Sequence, residues 1–406
     1  MKILYASCFP DEIFSQFLKN GQIYSLAAQK FNKLFVKGFA LNDIDVDVIA
    51  FITNGCTQPQ GDVVESYHQR TIRYFIQKRN KGIKGKIRTN TSIKGILKAY
   101  KKEEPNGVVV LDALAPSSFI ISRYAQKYGL KVVSIITDLL EVQSFLKSKG
   151  SIINRLKEKM INYFFYKQFK YTDLYVLLTE SMTERLKISK KQRYIVINGI
   201  CDYMLKEKQY EPLEVDKKIL MYTGELRKMY GIHNLVQAFL NVGDKNAELH
   251  LYGPGAEKYP DLQEIFVKHP SVKYFGVRPN EEIVKLQKNA WFLINPRLVS
   301  DFGEYVKYSF PSKNIEYMAS GRALITTKLP CITKEYNEYV YFFDDDSVEG
   351  MTKTLRECLA LPKEAIEKKG MDAKKFILSH LNNKKNAEKI MRTIFGEDIA
   401  DQNRSD

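Results

Sequence analysis

The sequence lacks several features that would point to particular classes of protein. Its five cysteines are scattered, with no C-x-x-C pair, and its five histidines show no metal-ligand spacing. This distribution argues against a disulfide framework and a zinc site, and it is typical of a reducing compartment. No run approaches the roughly 18 apolar residues that span a bilayer, and the first residues lack the apolar region and cleavage site of a secretory peptide. We therefore expect a cytoplasmic protein.

Positive charge is present in excess, but it is confined to one half of the chain. The 406 residues carry 63 Lys and Arg against 47 Asp and Glu. Residues 1–200 hold 32 basic and 16 acidic side chains, whereas residues 201–406 hold 31 of each. The net charge of +16 in the first half indicates a polyanionic surface as a partner of that half.

Short apolar, β-branched runs alternate with longer helical patterns along the whole chain. Runs such as 108–111 are apolar throughout, as strands covered on both faces of a parallel sheet are. Six predicted strands fall in each half: 3–6, 46–51, 108–111, 132–136, 174–178 and 194–197, then 219–222, 249–252, 272–275, 291–294, 323–326 and 339–342. Two such series predict an α/β protein of two doubly wound, Rossmann-like domains facing across a cleft, with binding residues in the turns after the strands.

A charged stretch that contains Gly199 and Pro212 separates the two series of strands. It predicts an N-terminal domain over 1–200, a linker over 201–216 and a C-terminal domain over 217–377. We expect a last helix, 378–396, to join the first domain, and the polar tail 397–406 to be frayed.

The most specific segment is a predicted helix with a polar start. Pro311 and Ser312 are typical of a helix start, and Gly321 is typical of a helix end. Free N–H groups at such a start can hold a diphosphate, to which Lys313 adds a full charge. Glu316 lies on the same helix face as Lys313, where a carboxylate can accept hydrogen bonds from ribose hydroxyls. An ordinary capped helix with a surface Lys–Glu pair explains these residues equally well.

Three stretches together resemble glycosyltransferase family 4, in particular its bacterial exopolysaccharide and capsule branch: Tyr222-Thr223-Gly224-Glu225-Leu226 leading to Tyr230-Gly231-Ile232, Ile294-Asn295-Pro296-Arg297, and residues 310–321. The resemblance implies a GT-B fold, a UDP- or GDP-linked sugar donor held in the C-terminal domain, and transfer with retention of anomeric configuration. We expect no cofactor and no metal.

Two departures from the family pattern affect the donor contacts. The family commonly has two glutamates separated by seven residues; Glu316 matches the second, but Tyr308 stands at the first. Glu225 and Tyr230 stand where many members carry cations. The resemblance therefore assigns stabilisation of the diphosphate to Arg297 and Lys313. The predicted donor-binding residues are Gly224, Glu225, Gly253, Gly255, Arg297, Pro311, Ser312, Lys313 and Glu316.

Two further motifs carry weaker signals. Gly253 and Gly255 follow a predicted strand and would let the backbone approach a donor, although a plain turn explains a G-x-G pattern as well. Asp344, Asp345 and Asp346 resemble a metal-binding D-x-D motif. Because they directly precede a helical pattern, a solvated turn and N-cap explain them better.

Polar residues that follow strands of the first domain are candidates for contact with an acceptor. Thr137 and Asp138 end the predicted strand 132–136, where the family often has a His–Asp pair, and Asp112 ends the preceding strand. A carboxylate there can steer or deprotonate an acceptor hydroxyl. For Asp138, capping of the next helix is an alternative of nearly equal weight.

Two segments of the first half are strongly basic. Residues 66–102 contain twelve Lys and Arg and no acid, including Lys78, Arg79, Lys84 and Lys86. Residues 147–171 add seven Lys and Arg, one Glu and an aromatic cluster that includes Phe164 and Phe165. Cations beside aromatics suit an anionic membrane surface. Core aromatics with solvated lysines are the alternative, and no specific nucleic-acid partner is expected because no fold for one is recognisable.

These features predict a retaining glycosyltransferase on the inner membrane face. It would transfer a sugar from a nucleotide-diphospho-sugar to a polysaccharide or a polyprenyl-diphosphate-linked saccharide, with Asp138, Arg297 and Lys313 as catalytic candidates. One alternative is a nucleotide-sugar 2-epimerase, which would need an acid–base cluster that the sequence supports poorly. Another is a degenerate, non-catalytic GT-B protein that binds a membrane or nucleic acid through its basic half, and Tyr308 and Glu225 keep this alternative open.

Overall fold

The structure is a computed structural model that describes residues 1–6, 8–19, 26–52, 61–78, 82–115, 117–140, 152–206 and 217–396. The chain divides into two compact units, residues 1–200 with 382–406 and residues 201–381. The second unit extends to Leu381 because a helix over Lys363–His380 continues there and places Ile377 and Leu378 in the core of that unit. Residues 207–216 of the predicted linker and the predicted tail 397–406 lie outside the described residues.

The described part of the first unit contains one sheet of eight strands. They are β1 (Lys2–Ala6), β2 (Asp45–Ile52), β3 (Val63–Tyr67), β4 (Arg70–Lys78), β5 (Val108–Asp112), β6 (Lys131–Ile136), β7 (Leu174–Leu177) and β8 (Arg193–Val196). Their order is β3-β4-β2-β1-β5-β6-β7-β8, and neighbours are parallel except β3, which pairs antiparallel with β4. The strand order reverses between β1 and β5, which makes their carboxyl ends the topological switch point of this sheet.

The second unit holds a sheet of six parallel strands among its described residues. They are β9 (Lys218–Thr223), β10 (Ala247–Tyr252), β11 (Val272–Tyr274), β12 (Phe292–Asn295), β13 (Ala323–Thr326) and β14 (Tyr341–Phe342), in the order β11-β10-β9-β12-β13-β14. Its switch point lies between β9 and β12. Each of the twelve predicted strands has a counterpart in the two sheets, and the fold class is confirmed as two Rossmann-like α/β units.

Among the described residues of the first unit, the helices are α1 (Asp11–Lys19), α2 (Leu26–Ala40), α3 (Gly82–Glu103), α4 (Ser118–Lys127), α5 (Ile152–Gln168) and α6 (Met182–Arg185). Those of the second are α7 (Ile232–Val242), α8 (Pro260–Lys268), α9 (Asn280–Gln287), α10 (Val299–Phe302), α11 (Ser312–Ser320), α12 (Val348–Leu359) and α13 (Lys363–His380). The last helix, α14 (Asn383–Phe395), belongs to the first unit. Short 3-10 turns cover Phe169–Tyr171, Tyr203–Lys206, Lys228–Tyr230, Ala256–Lys258, Gly303–Lys307 and Lys334–Tyr336.

Alternating side chains of the first sheet bury its two faces in separate cores. Ile3 and Tyr5 pack in the core that includes α2 and α14, whereas Leu4 and Ala6 pack in the core that includes α3 and α4. Helix α14 lies close to α2 because Gly38 has no side chain: a Cβ there would stand 2.2 Å from the Asn383 carbonyl oxygen. Both faces of the parallel sheet are therefore covered, as the uniformly apolar strands predict.

Candidate functional site

The switch point of the second sheet brings together residues from β9, β12 and α11. Strand β9 ends at Thr223, and the neighbouring strand β12 ends at Asn295. The Tyr317 hydroxyl of α11 accepts a hydrogen bond from the Thr223 N–H at 2.9 Å and donates to the Thr223 carbonyl at 3.2 Å. These bonds fix the helix against the end of β9, at the edge where an open parallel sheet binds its ligands.

Lys313, in the first turn of α11, is held in one position by its neighbours. Its Nζ donates to the Tyr222 hydroxyl at 3.0 Å and stands 4.5 Å from the centre of the Tyr222 ring. A Cβ on Gly224 would lie 1.8 Å from this Nζ, so the absent side chain leaves the space that the ammonium occupies. Burial lowers the pKa of Lys313 to about 8, with the Arg297 guanidinium acting in the same direction and the Glu316 carboxylate against it.

Arg297 follows β12 by two residues and is buried. Its guanidinium carbon stands 5.3 Å from the centre of the Tyr305 ring. The loop that carries it packs closely on Gly231, where a Cβ would lie 1.8 Å from the Pro296 carbonyl oxygen. The structure thus brings Arg297 and Lys313 to the same edge of the sheet. Packing on Gly231 positions the loop of Arg297, and the Tyr222 hydroxyl positions Lys313.

A buried polar network sets the start of α11 on the sheet. The Asn295 side-chain amide donates to Asn314 Oδ1 at 2.7 Å, and Asn314 Nδ2 donates to the Thr326 hydroxyl at 3.2 Å. The Thr326 hydroxyl in turn donates to the Asn295 carbonyl at 3.2 Å. All three side chains are buried, so the loss of any one partner would leave an unpaired polar group and destabilise the protein. The complete network specifies one position for the helix. Asn314 directly follows Lys313, which is therefore preorganised.

The predicted start and end of α11 match the structure. Pro311 occupies the N-cap position and makes no side-chain capping bond, and Ser312 next to it is exposed. Gly321 ends the helix with φ 84°, a left-handed conformation that favours glycine. Glu316 lies one turn after Lys313 and is half-buried, 3.5 Å from the Nε2 of Gln287.

The G-x-G pattern has a packing role in the structure. Gly253 has φ 130°, and a Cβ there would lie 2.0 Å from the carbonyl oxygen of Gly224. The N–H of Gly224 donates to the Tyr252 carbonyl at 2.8 Å, and Gly255 has φ 109°. The glycines let the loops after β9 and β10 meet closely beside Lys313, as a tight turn requires.

Two residues of this edge are not found by the sequence analysis. Glu225 forms an ion pair with Arg227 at 2.6 Å, which places a cation two residues from the expected arginine position. Tyr222 binds Lys313 through its hydroxyl, which itself donates to the Glu225 carbonyl at 2.9 Å. A search for a basic residue within two positions of Glu225, where many family members carry Arg, would have found Arg227. Tyr222 begins the first stretch of the family resemblance, but nothing in the sequence indicates that its hydroxyl contacts Lys313.

Tyr308, at the position of the family's first glutamate, is half-buried in the turn before α11. Its backbone N–H donates to the Tyr305 carbonyl at 3.0 Å.

The three consecutive aspartates form turns, as predicted, but they do not cap the helix that follows. Ser347 caps α12 by accepting from the Gly350 N–H, and Asp345 accepts from Ser347. Asp346 instead accepts from the N–H groups of Val299 and Ser300 at 2.7 and 3.1 Å, at the start of α10. The described residues contain no group of three or more His, Cys, Asp or Glu that could hold a metal ion.

The candidates of the first unit lie at the carboxyl ends of β5 and β6. Asp112 is buried: it accepts from the Asn32 amide at 3.0 Å and from the Leu114 N–H at 2.9 Å, and burial raises the pKa of its carboxyl. Thr137 and Asp138 are half-buried after β6, and Asp138 accepts from the Leu139 N–H at 2.8 Å. The geometry ties Asp112 to a structural network.

The residues predicted to contact a membrane fall into different environments. Lys84 and Lys86 are exposed on α3, Lys78 ends β4, and Arg79 lies outside the described residues. Phe164 is exposed, but the prediction for Phe165 is wrong: it is buried and packs against Phe169, with ring centres 5.0 Å apart. Within the described part of the chain, no helix is long and apolar enough to cross a membrane.

Comparison with known proteins gives one family match and many similar structures. Residues 204–376 match the family model described as glycosyl transferases group 1. No curated protein sequence matches the chain.

The solved structures that resemble this chain include sucrose-phosphate synthase from Thermosynechococcus elongatus, with 15% identity, a TM-score of 0.66 and coverage of 98% of this chain and 100% of that one. The E. coli trehalose-6-phosphate structure bound with UDP-2-fluoro glucose has 9% identity, a TM-score of 0.63 and coverage of 98% and 99%. HepE from Anabaena in complex with UDP and glucose has 11% identity, a TM-score of 0.61 and coverage of 97% and 99%. Together, the fold shared with these structures and the group 1 domain over residues 204–376 support a glycosyltransferase of the GT-B type.

Proposed function

We propose that this protein is a retaining, metal-independent glycosyltransferase. It takes a sugar from a UDP- or GDP-linked donor bound at the carboxyl edge of the second sheet. The acceptor is a saccharide, either on a polysaccharide or on a polyprenyl diphosphate, as in exopolysaccharide and capsule synthesis on the inner membrane face. The observation that carries the proposal is the position of Lys313, fixed at the start of α11 against Gly224 and Tyr222.

The donor diphosphate would lie against the start of α11. The first N–H groups of the helix and the Lys313 ammonium supply positive charge there, and Arg297 adds a second cation from the loop after β12. Glu316, one turn on, suits the ribose hydroxyls. In the reaction the bond from the sugar to the diphosphate breaks, and these groups stabilise the negative charge that develops on the leaving oxygen.

The first unit would bind the acceptor, and Asp138 would orient its hydroxyl. With retention, the new bond forms on the face that the diphosphate leaves, and a diphosphate oxygen takes the proton of the acceptor. HepE, bound with UDP and glucose, and the E. coli structure bound with UDP-2-fluoro glucose support a nucleotide-linked donor.

The direct test is turnover with a panel of UDP- and GDP-sugars, using membrane extract as the source of acceptor. Release of UDP or GDP that depends on the extract, with incorporation of labelled sugar, supports the transferase. Nucleotide binding without any turnover across the panel would favour the degenerate, non-catalytic protein. Interconversion of the donor sugar without transfer would favour the epimerase.

Activity is expected to survive removal of divalent metals. The described residues provide no carboxylate or histidine cluster to hold one, and Lys313 with Arg297 supplies the positive charge that a metal would otherwise provide. The measurement is the rate of nucleotide release before and after treatment with EDTA. Complete loss of turnover that manganese or magnesium restores would contradict the metal-independent mechanism.

Affinity for UDP or GDP is expected to fall as pH rises through 8. Because the Lys313 pKa is lowered to about 8, the ammonium is charged at pH 7 and largely neutral at pH 9. A terminal phosphate with a pKa near 6 keeps its charge over this range, so the loss of one cation should weaken binding by about tenfold. Calorimetric titration from pH 7 to 9 measures this change. Lys313→Ala should bind weakly at every pH, and an equally steep decline in that variant would assign the titration to another group.

A further inference from the structure

Helices α3 and α5 each present two aliphatic side chains, one turn apart, to solvent in their first nine residues. On α3, Ile83 and Ile87 are 80% and 58% exposed, while Gly85 and Thr89 face the protein interior. On α5, Leu156 and Met160 are 62% and 52% exposed. A surface helix normally turns its apolar stripe toward the core. Here these four apolar side chains point outward instead.

The two helices lie on the same side of the first unit, on either side of α4. Each helix leads into the amino end of a strand, α3 into β5 and α5 into β7, so their starts lie at the carboxyl edge of the sheet. Helix α4 packs between them. Its Phe119 contacts Phe164 of α5, with ring centres 5.0 Å apart, and the centre of its Tyr124 ring lies 4.5 Å from the Lys94 Nζ of α3. Since packed helices lie about 10 Å apart, the two aliphatic groups are roughly 20 Å apart.

The charge around these side chains identifies their partner. Exposed cations accompany the aliphatic side chains on both helices: Lys84, Lys86 and Arg88 on α3, and Arg155 and Lys159 on α5. Helix α3 carries no acid before its last residue, Glu103. A second copy of the chain would bring like charges together on this face. A nucleic acid would pair with the cations but would not cover the aliphatic side chains. Cations beside exposed aliphatic groups match the headgroups and acyl boundary of an anionic bilayer.

We propose that these exposed aliphatic side chains of α3 and α5 insert into the surface of an anionic membrane. Ile83, Ile87, Leu156 and Met160 enter the acyl boundary, and the neighbouring lysines and arginines stay at the level of the headgroups. The inference rests on the proposed membrane-linked acceptor and deepens it. Binding by charge alone would be abolished by high salt, whereas an inserted apolar contact persists when charges are screened.

The test is flotation of the full chain with vesicles of phosphatidylcholine mixed with phosphatidylglycerol, at low and high salt. Ile83→Ser with Ile87→Ser, and Leu156→Ser with Met160→Ser, should each lower the partition coefficient by about tenfold and remove the binding that remains at high salt. These pairs leave the net charge unchanged. Val64→Ser and Val267→Ser replace exposed valines elsewhere, one in each unit, and should bind as the wild type does.

Equal binding by the serine pairs and the wild type would overturn the inference, as would complete release of the wild type by high salt. Melting temperatures of the variants should match the wild type because the replaced side chains are exposed; a variant that has lost its melting transition is replaced by the corresponding single substitution. Nucleotide release by the wild type, measured with membrane extract as the acceptor source and without added vesicles, tests the transferase separately. Absent turnover with salt-resistant vesicle binding rejects the proposed function and keeps the membrane contact.

Discussion

Lys313→Ala is expected to lower kcat/KM by roughly thirty- to a thousandfold, which corresponds to ~2–4 kcal/mol of transition-state stabilisation. The side chain is held before any substrate binds, because Tyr222 accepts its hydrogen bond and Gly224 leaves room for its ammonium. A charge fixed in this way needs no reorganisation when negative charge develops on the leaving diphosphate. The measurement is the initial rate of nucleotide release against donor concentration, with the acceptor held constant.

Two variants separate this effect from a general loss of charge or structure. Lys307→Ala removes an exposed lysine close in sequence, paired with Glu304 at 3.4 Å, and should behave as wild type. Tyr222→Phe removes the hydroxyl that binds Lys313 but keeps the cation, so an intermediate loss is expected. Wild-type turnover in both Lys313→Ala and Glu316→Gln, with unchanged melting temperatures, would place the donor site elsewhere.

The parts of the site that sequence reveals are those set by local chemistry. Helix α11 could be placed because Pro311 suits a helix start and Gly321 can adopt the left-handed conformation that ends one. The strands could be placed because apolar, β-branched runs are buried on both faces of a parallel sheet. The contact of Tyr222 with Lys313 could not, because it joins residues 91 positions apart and depends on how β9 meets α11.

The β3–β4 hairpin was missed for a different reason. Its turn residues, His68 and Gln69, adopt φ 49° and 63°, conformations for which Asn and Gly are the usual signals. The basic residues Arg70 and Lys78 at the two ends of β4, and the edge position of β3 with its alternating exposure, hide the pattern further.

In α3, apolar residues change from one helix face to the other. Ile83 and Ile87 face outward, whereas Ile93 and Leu97 face the core. Sequence periodicity alone does not say which apolar residues a neighbouring sheet covers.

A matched pair of glycines tests whether the loop of Arg297 matters to the reaction. Gly231 and Gly243 flank helix α7, at its start and its end, with nearly equal backbone angles of φ 75° and 70°. A Cβ on Gly243 would meet no atom within 4 Å, whereas one on Gly231 would lie 1.8 Å from the Pro296 carbonyl oxygen. Alanine therefore imposes the same backbone strain at both positions and a collision at only one.

Gly243→Ala is expected to cost about 1 kcal/mol of stability, from the left-handed backbone alone, with activity unchanged. Gly231→Ala adds overpacking against backbone that cannot rotate away, so a loss of roughly 2–4 kcal/mol is expected. The displaced Pro296 carries Arg297 with it, and a shift of about 1 Å in a positioning group can lower turnover by roughly a hundredfold. Urea unfolding gives the stability of each variant, and kcat/KM at a temperature where both are folded gives the activity. Equal activity in the two variants would show that the Pro296–Arg297 loop takes no part in holding the donor.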